Sequence, residues 1–596
     1  DVVSGIDENN KISDAVTITN GTMLVCNSSG TVISTIVANN TISNVYKGID
    51  APGSNNIISD NTLNNIHGVY SMGTEPEQGS DCAIDASGLN NTVKNNKISN
   101  SIINANGQYI NAGHNAKIMG NVIEINDNEL NNGAGIKITG SNCLVYDNVI
   151  AVNGIGITTH SKGERKEIFI LNNDINSKDK GIGLEGVSRD KLLNDVYVSF
   201  NNINTLNDIA INVSKNIGNN SVVSNNNVNG KNISVANTTK DTYCCVVTED
   251  NFDDYFEKDG SLYEPNFDKF EPGSIICFIG DFSSKYGIMI RDSINLIGFN
   301  ATFKDTSFII NEVNDGVTIK NINIINDDTS RINKWGIYVY GSNNVNLTGN
   351  NVLVNDAESS LAVFIDESNN VIVKDNSISA IGDFLTFAVF IEDSNNVIVD
   401  SNVIYANGTA TLTACDSDST CTGCIGGVCA GSVCAGGVCA GSVCAGDVCA
   451  GGVCAGDVCA GTYCNGVHEI YGVFKTYGVL ATNSSKNTIA NNKITVGSKI
   501  TDDVIPFNQS VNAISGLYIH YNSNNNMVKG NKITVVGKDP FAYGMGVVGD
   551  NGTEDSRLVS KGNTFDSNDV YVKSSYYVSG MNVAHNTTNT KVVNNK

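Results

Sequence analysis

Apolar residues alternate with polar ones in runs of three to five, as in "VIVKD" from Val371 and "VIVDS" from Val397, and Asn, Gly, Ser or Asp interrupts every run. A period of two over so few residues predicts short β-strands. No stretch carries the helical period needed for βαβ units.

The runs themselves repeat. "SNNVNLTGNNVLVNDAESSLAVFIDE" from Ser342, "SNNVIVKDNSISAIGDFLTFAVFIED" from Ser368 and "SNNVIVDSNVIYANG" from Ser394 align at 26 residues. Val345, Val371 and Val397 fall in register, as do Asn350, Asn376 and Asn402, and Phe364 lies over Phe390. An N-x-(I/V/L/F) step recurs at Asn61, Asn96, Asn121, Asn148, Asn173, Asn201, Asn226, Asn492, Asn531 and Asn563. A period near 25 residues is that of a solenoid. Short strands, polar corners and a near-constant coil length predict an all-β fold, a parallel β-helix with coils about 4.8 Å apart. Val, Ile and Phe files fill its interior. Asparagine suits the corners, because it tolerates left-handed backbone angles and its amide bonds between coils.

The pattern breaks between residues 237 and 300. "TEDNFDDYFEKDG" places Phe252, Tyr255 and Phe256 at helical spacing. Solenoid ends need covering, so 249–260 reads as a short amphipathic cap. The first β-helix domain is expected over 1–238 and the second over 239–596, with a cysteine-rich insertion over 409–467.

The unit "NFDDYFEKDGSL…GSIICFIGDF…INLIGFNATF", followed by "SNNVIV" repeats, resembles the adhesin-like and S-layer-type surface proteins of methanogenic archaea. The resemblance implies right-handed β-helix repeats of the pectate-lyase-like type, a secreted, extracellular, cell-surface location and an archaeal source.

Composition narrows the function. The 596-residue chain has net charge -24. It shows no Lys/Arg cluster, which excludes a nucleic-acid role. No apolar run is long enough for a membrane span. The start at Asp1 reads as a processed secreted chain. Sequons at Asn20, Asn27, Asn39, Asn90, Asn212, Asn219, Asn232, Asn237, Asn300, Asn346, Asn407, Asn483, Asn508, Asn551 and Asn586 are glycosylation candidates, but so Asn- and Ser/Thr-rich a chain gives about that number by chance.

Catalytic signatures are sparse. G-H-G and N-T-D motifs are absent, and His67, His114, His160, His468, His520 and His585 are scattered. Asp366 and Glu367, with Glu392 and Asp393 one coil later, place like charges close together. They form a weak Ca²⁺ candidate, with a solvated acidic corner as the plainer reading. His468 and Glu469 are adjacent, so in a strand they face opposite ways and chelate poorly. No cofactor is expected.

Eleven of the 17 cysteines lie between Cys415 and Cys464, and from Cys429 one returns every fifth residue. Five residues turn an α-helix about 140° net, which scatters the thiols, and an odd period alternates faces in one strand. A tight ten-residue coil gathers them. The unit C-A-G-x-V is similar in spacing to the disulfide-laddered antifreeze solenoids of some insects. That likeness implies pairs Cys429–Cys434, Cys439–Cys444, Cys449–Cys454 and Cys459–Cys464, with the register starting Cys424–Cys429 as rival. Bonds between molecules, metal binding and free thiols stay open. Only Cys421 and Cys424 have C-x₂-C spacing, and an odd local count leaves at least one cysteine over.

These readings favour a non-enzymatic envelope protein that self-assembles into a layer, sheath or filament. The alternatives are an adhesin for cell-wall or host glycans, and a carbohydrate-active β-helix enzyme.

Overall fold

The computed structural model describes residues 22–26, 32–43, 48–66, 82–103, 107–125, 133–159, 165–185, 193–215, 221–235, 244–260, 262–327, 335–355, 359–382, 385–410, 475–500, 513–537, 541–549, 559–574, 577–584 and 586–596, with five short strands between 411 and 474. The chain forms a right-handed parallel β-helix, and its internal contacts divide it into two units, Asp1–Cys245 and Val246–Lys596.

In the first unit three sheets form the sides of the coil. Apart from the edge strand Thr22–Cys26, which pairs antiparallel with Val32–Ala38, each is a stack of parallel strands in register, so like residues form files. Ile98, Ile123, Ile150, Ile175 and Ile203 make one. Ile84, Ile110, Ile136, Ile157, Ile182 and Ile211 make another. All are buried. Each such side chain contributes roughly 1.5–3 kcal/mol relative to exposure, and β-branching suits the pleat.

The second unit opens on a short turn. Glu249–Asn251 is a single 3₁₀ turn and Phe252–Tyr255 one helical turn. Phe252 and Phe256 stack at 4.4 Å and lie over Phe282 and Phe278, all fully buried. Phe256–Asp259 then pairs antiparallel with Leu262–Pro265. Long strands, Ser274–Ile290 and Ile294–Asn311, run round the corners of the first coils. Later strands shorten, and the coil settles into the 26-residue repeat.

The asparagine steps form a continuous buried ladder. The backbone N–H and side-chain Nδ2 of Asn61 both donate to Oδ1 of Asn96, at 3.0 and 2.9 Å. The pattern passes through Asn121, Asn148, Asn173 and Asn201 to Asn226. In the second unit it runs from Asn350 through Asn376, Asn402, Asn492 and Asn531 to Asn568 and Asn595. Asn563 belongs to a parallel ladder with Asn487 and Asn526. The corner chemistry differs in one respect from expectation. The left-handed residue is the one before the ladder asparagine: Asp60, Asn95, Gly120, Asp147 and Asn172 have φ between 54° and 61°. The turn takes two residues, one exposed and left-handed, one buried and hydrogen-bonded.

The insertion leaves the coil after Ala410 and returns at Lys475. Across it, Val403–Ala410 pairs directly with Lys493–Ile500 and Leu385–Glu392 with Lys475–Thr482, so it adds no coil to the main stack. Within it Val428–Ala430, Val443–Ala445 and Val458–Cys459 pair in parallel, with Cys429 opposite Cys444 and Cys444 opposite Cys459. Cys439 lies opposite Cys454. This corrects the ten-residue coil: the stacking step is fifteen residues, three pentapeptides per turn. The remaining ladder positions Cys434, Cys449 and Cys464, with Cys415, Cys421 and Cys424, lie outside the described residues.

Candidate functional site

One side of the second β-helix is built from the strands Trp335–Tyr340, Ser359–Asp366, Leu385–Glu392, Lys475–Thr482, Ala513–His520 and Phe541–Val548. Ile337, Val363, Val389, Val479 and Leu517 stack inward in register and are buried. A second inward file is held to glycine or alanine. At Gly478, for example, a Cβ would lie 2.4 Å from Cγ2 of Ile494 across the core.

The intervening positions form three outer files, in which Phe387, Leu480 and Ser515 are themselves buried and the other residues are at most partly accessible. The first carries Trp335, Leu361, Phe387, Tyr477, Ser515 and Tyr543, and the second Tyr338, Phe364, Phe390, Leu480, Tyr518 and Gly546. The third carries Tyr340, Asp366, Glu392, Thr482, His520 and Val548. The rings are continuous. Tyr338, Phe364 and Phe390 stack nearly parallel at 4.9 Å per step. Trp335 lies 5.0 Å from Tyr338. Phe387 connects Phe390 to Tyr477, and Tyr477 leads to Tyr518 and Tyr543. Tyr518 packs over Gly546, where any Cβ would meet its ring at 2.1 Å, and its hydroxyl accepts a 3.0 Å bond from Nδ2 of Asn582.

The acidic file adjoins the rings. The Tyr338 hydroxyl donates to Oδ2 of Asp366 at 3.1 Å. Burial, with help from the nearby carboxylates of Glu367 and Asp393, raises the Asp366 carboxyl above the ordinary range against the lowering effect of the Tyr338 bond. Tyr338 is pushed well up by burial and then by Asp366, and Tyr340 is raised chiefly by the Glu367 charge. Burial lifts Tyr518 to about 12. Glu392 is the register neighbour of Asp366, while Glu367 and Asp393 occupy left-handed corner positions.

The four carboxylates of the Ca²⁺ candidate are therefore neighbours, as expected, but they divide between a strand face and a corner. Among the described residues no three His, Cys, Asp or Glu side chains converge to hold a metal ion, and Asp366 is engaged by a phenol. His520, scattered in sequence, joins the acidic file two coils from Glu392. His468 and Glu469 lie outside the described residues. The sequence reading had Phe364 over Phe390 but expected Phe files inside; these two lie on the outer side, only partly buried, and the rest of the aromatic files escaped it. Their signal was present in "WGIYVY", "LAVFID", "FAVFIE", "YGVLAT", "SGLYIH" and "YGMGVV", which share a small residue followed by an apolar one, but the last copies lie beyond the insertion. Of the sequons, Asn39, Asn90 and Asn483 stand on exposed corners, while Asn20, Asn27, Asn219, Asn237, Asn508 and Asn551 lie outside the described residues.

Residues 275–425 match the family model "right handed beta helix region". No curated protein matches the chain. Among solved structures the chain is similar to the periplasmic alginate epimerase AlgG, at 11% identity over 75% of this chain and 78% of that one, TM-score 0.29. It is also similar to the A-module of the mannuronan C-5 epimerase AlgE6 of Azotobacter vinelandii, at 11% identity over 91% and 90%, TM-score 0.17. A third is a DFA-IIIase from Arthrobacter chlorophenolicus A6 bound to DFA-III, at 9% identity over 86% and 84%, TM-score 0.19. These likenesses concern the fold. The expectation of a non-enzymatic structural protein is corrected here: the similar solved structures are carbohydrate-acting enzymes.

Proposed function

We propose that the chain is a carbohydrate-active β-helix enzyme, a glycoside hydrolase acting on the outer face of its second unit. The supporting observation is the pair Asp366 and Glu392, register neighbours beside a run of stacked rings. The rings pack face to face along the coil axis and exclude water from one flank of the pair. Glycoside hydrolysis needs two carboxyl groups, one protonated to give its proton to the leaving oxygen, the other ionised. Asp366, raised by burial and by Glu367 and Asp393, suits the proton donor. Glu392, one coil away at about 4.8 Å of backbone spacing, suits the carboxylate. With Asp366 as proton donor and Glu392 as nucleophile, the reaction takes the route through a covalent glycosyl intermediate with retention.

In that mechanism the bond from the sugar's anomeric carbon to the leaving oxygen breaks as Asp366 gives that oxygen its proton. Glu392 forms a bond to the same carbon. Water then displaces Glu392, giving its proton to Asp366. A polymeric substrate fits a secreted or periplasmic protein, and the surface location implied by the archaeal adhesin-like repeats is proposed with it. The test is release of new reducing ends from a panel of polysaccharides, with Asp366→Asn and Glu392→Gln each lowering the rate by about 10² or more. Release undiminished in both variants would refute the assignment.

A further inference from the structure

The first unit holds polar side chains on the outer side of its coil that are nevertheless buried. On the strand Gln108–Ala112, Tyr109 and Ile110 both belong to the core. Gln108 and Asn111, on either side of them, face away from it. Gln108 is 2% exposed and Asn111 8%. Asn111 lies in register between Asp85 and Lys137, and Gln108 between Cys82 and Ala134.

Two acceptors on this side are unmet. Nδ2 of Asn111 donates to Oδ1 of Asp85 at 3.1 Å, which fixes the orientation of the amide. Among the described residues no donor reaches Oδ1 of Asn111 or Oε1 of Gln108. A buried acceptor without a donor is destabilising, and here one strand keeps two of them, both outside the apolar core. Hydroxyl groups of a ligand would supply the missing donors.

The third feature is a cation. Half-buried Lys137 follows Asp85 and Asn111 in their file, and among the described residues no carboxylate forms an ion pair with it. Burial lowers its ammonium from the ordinary range, with Cys82 opposing this and Arg165 adding to it. Arg165 is itself buried. Two desolvated cations within electrostatic reach of each other favour an anion beside them. The site opens at this end: Lys137 is partly accessible, and so is Ala134, which offers only a methyl group next to Gln108 in the file.

The order of charge along the file gives the ligand a polarity, with hydroxyls toward Gln108 and Asn111 and the negative group at Lys137. We propose that this side of the first unit binds an anionic sugar, a polyhydroxylated unit bearing a carboxylate or a phosphate. The site lies wholly in the first unit and does not depend on the hydrolase function proposed for the second.

The experiment is calorimetric titration of the full chain at low salt with glucuronate, glucose 6-phosphate, glucose and sulfate. Glucuronate or glucose 6-phosphate is expected to bind about tenfold or more tighter than both glucose and sulfate, because a charge-assisted bond and the hydroxyl bonds act together, and the better of the two identifies the anionic group. Lys137→Met keeps the apolar stem and is expected to bring the anionic sugar down to the affinity of glucose. Gln108→Leu keeps the volume and removes an unmet acceptor, so it is expected to weaken the anionic sugar about tenfold while the melting temperature of the free protein stays the same or rises. Glucose binding as tightly as the anionic sugars overturns the anionic assignment, and sulfate binding as tightly overturns the sugar assignment. A melting temperature that falls in Gln108→Leu, with sugar affinity kept, shows a structural role and overturns the proposal. Absence of binding for all four probes overturns it as well. None of these outcomes touches the hydrolase assignment, which is read by release of reducing ends.

Discussion

The phenol of Tyr338 donates to Oδ2 of Asp366 one coil away, at 3.1 Å, so an aromatic file and an acidic file of the same face meet through one hydrogen bond. That bond opposes the burial that raises Asp366. Tyr338→Phe keeps the ring stack and removes the opposition, because the bond favours the ionised carboxyl. The Asp366 carboxyl should then titrate still higher. The expected outcome is an upward shift of that titration, followed by ¹³C NMR of labelled aspartate. An unchanged or lower value would contradict the assignment.

Asp366→Asn separates activity from stability. A carboxyl whose pKa is higher folded than unfolded binds more protons in the native state, so its contribution favours folding at low pH and declines as pH rises through the raised value. Where it is ionised, the half-buried Asp366 carboxyl therefore opposes folding. The amide should leave the protein at least as thermally stable at pH 7, lose that advantage below the ordinary carboxylate range, and lower turnover by about 10² or more. Melting curves across pH, with rate measurements, check it.

Gly546→Val tests the far end of the aromatic run. A side chain here displaces the Tyr518 ring and with it the bond from Asn582. The Tyr518 phenol, held at about 12 by burial, should fall toward the ordinary tyrosine value as it reaches water. In the native protein its burial contributes stability below pH 10 that is lost as pH rises toward 12. Ultraviolet titration of tyrosinate follows the change.

Asn402→Ala interrupts the ladder. Asn402 accepts from the backbone N–H and Nδ2 of Asn376 and donates to the carbonyl of Val373, all in the interior. Its removal leaves the buried N–H of Asn376 without a partner and takes a side-chain bond from the Val373 carbonyl. At about 1–3 kcal/mol for the unmet donor, denaturant unfolding of the second unit should show a loss of about that size.

Excision of 411–474 with a two-residue link, the length that joins Gly382 to Leu385, should leave the β-helix folded. The strands on either side already pair across the insertion. The expected change in melting temperature is under about 4 °C. Peptide mapping of the intact chain without reductant would report the cysteine partners. Bonds spanning fifteen residues would follow the strand register, and bonds spanning five would follow the spacing.

The alternation of "VIVKD" and the 26-residue recurrence of Asn350, Asn376 and Asn402 were enough to read a parallel β-helix, because a solenoid buries each repeat against its own neighbour and local pattern equals tertiary contact. The ladder asparagines were legible for the same reason. Their exact corner role was not, since Asp375 or Ser401 carries the left-handed angle and only backbone geometry separates the two positions. The acidic pair of Asp366 and Glu392 was legible as a one-coil neighbour relation. The face it belongs to was decided by the fold. Tyr477, Tyr518 and His520 join Phe390 and Glu392 only because the coil closes across an insertion that puts 90 residues between register partners such as Ser394 and Ser484. Sequence alone sets which residues point inward along each strand. Which outward residues share a surface depends on how many residues each coil takes to return, and that count varies with every loop the solenoid carries.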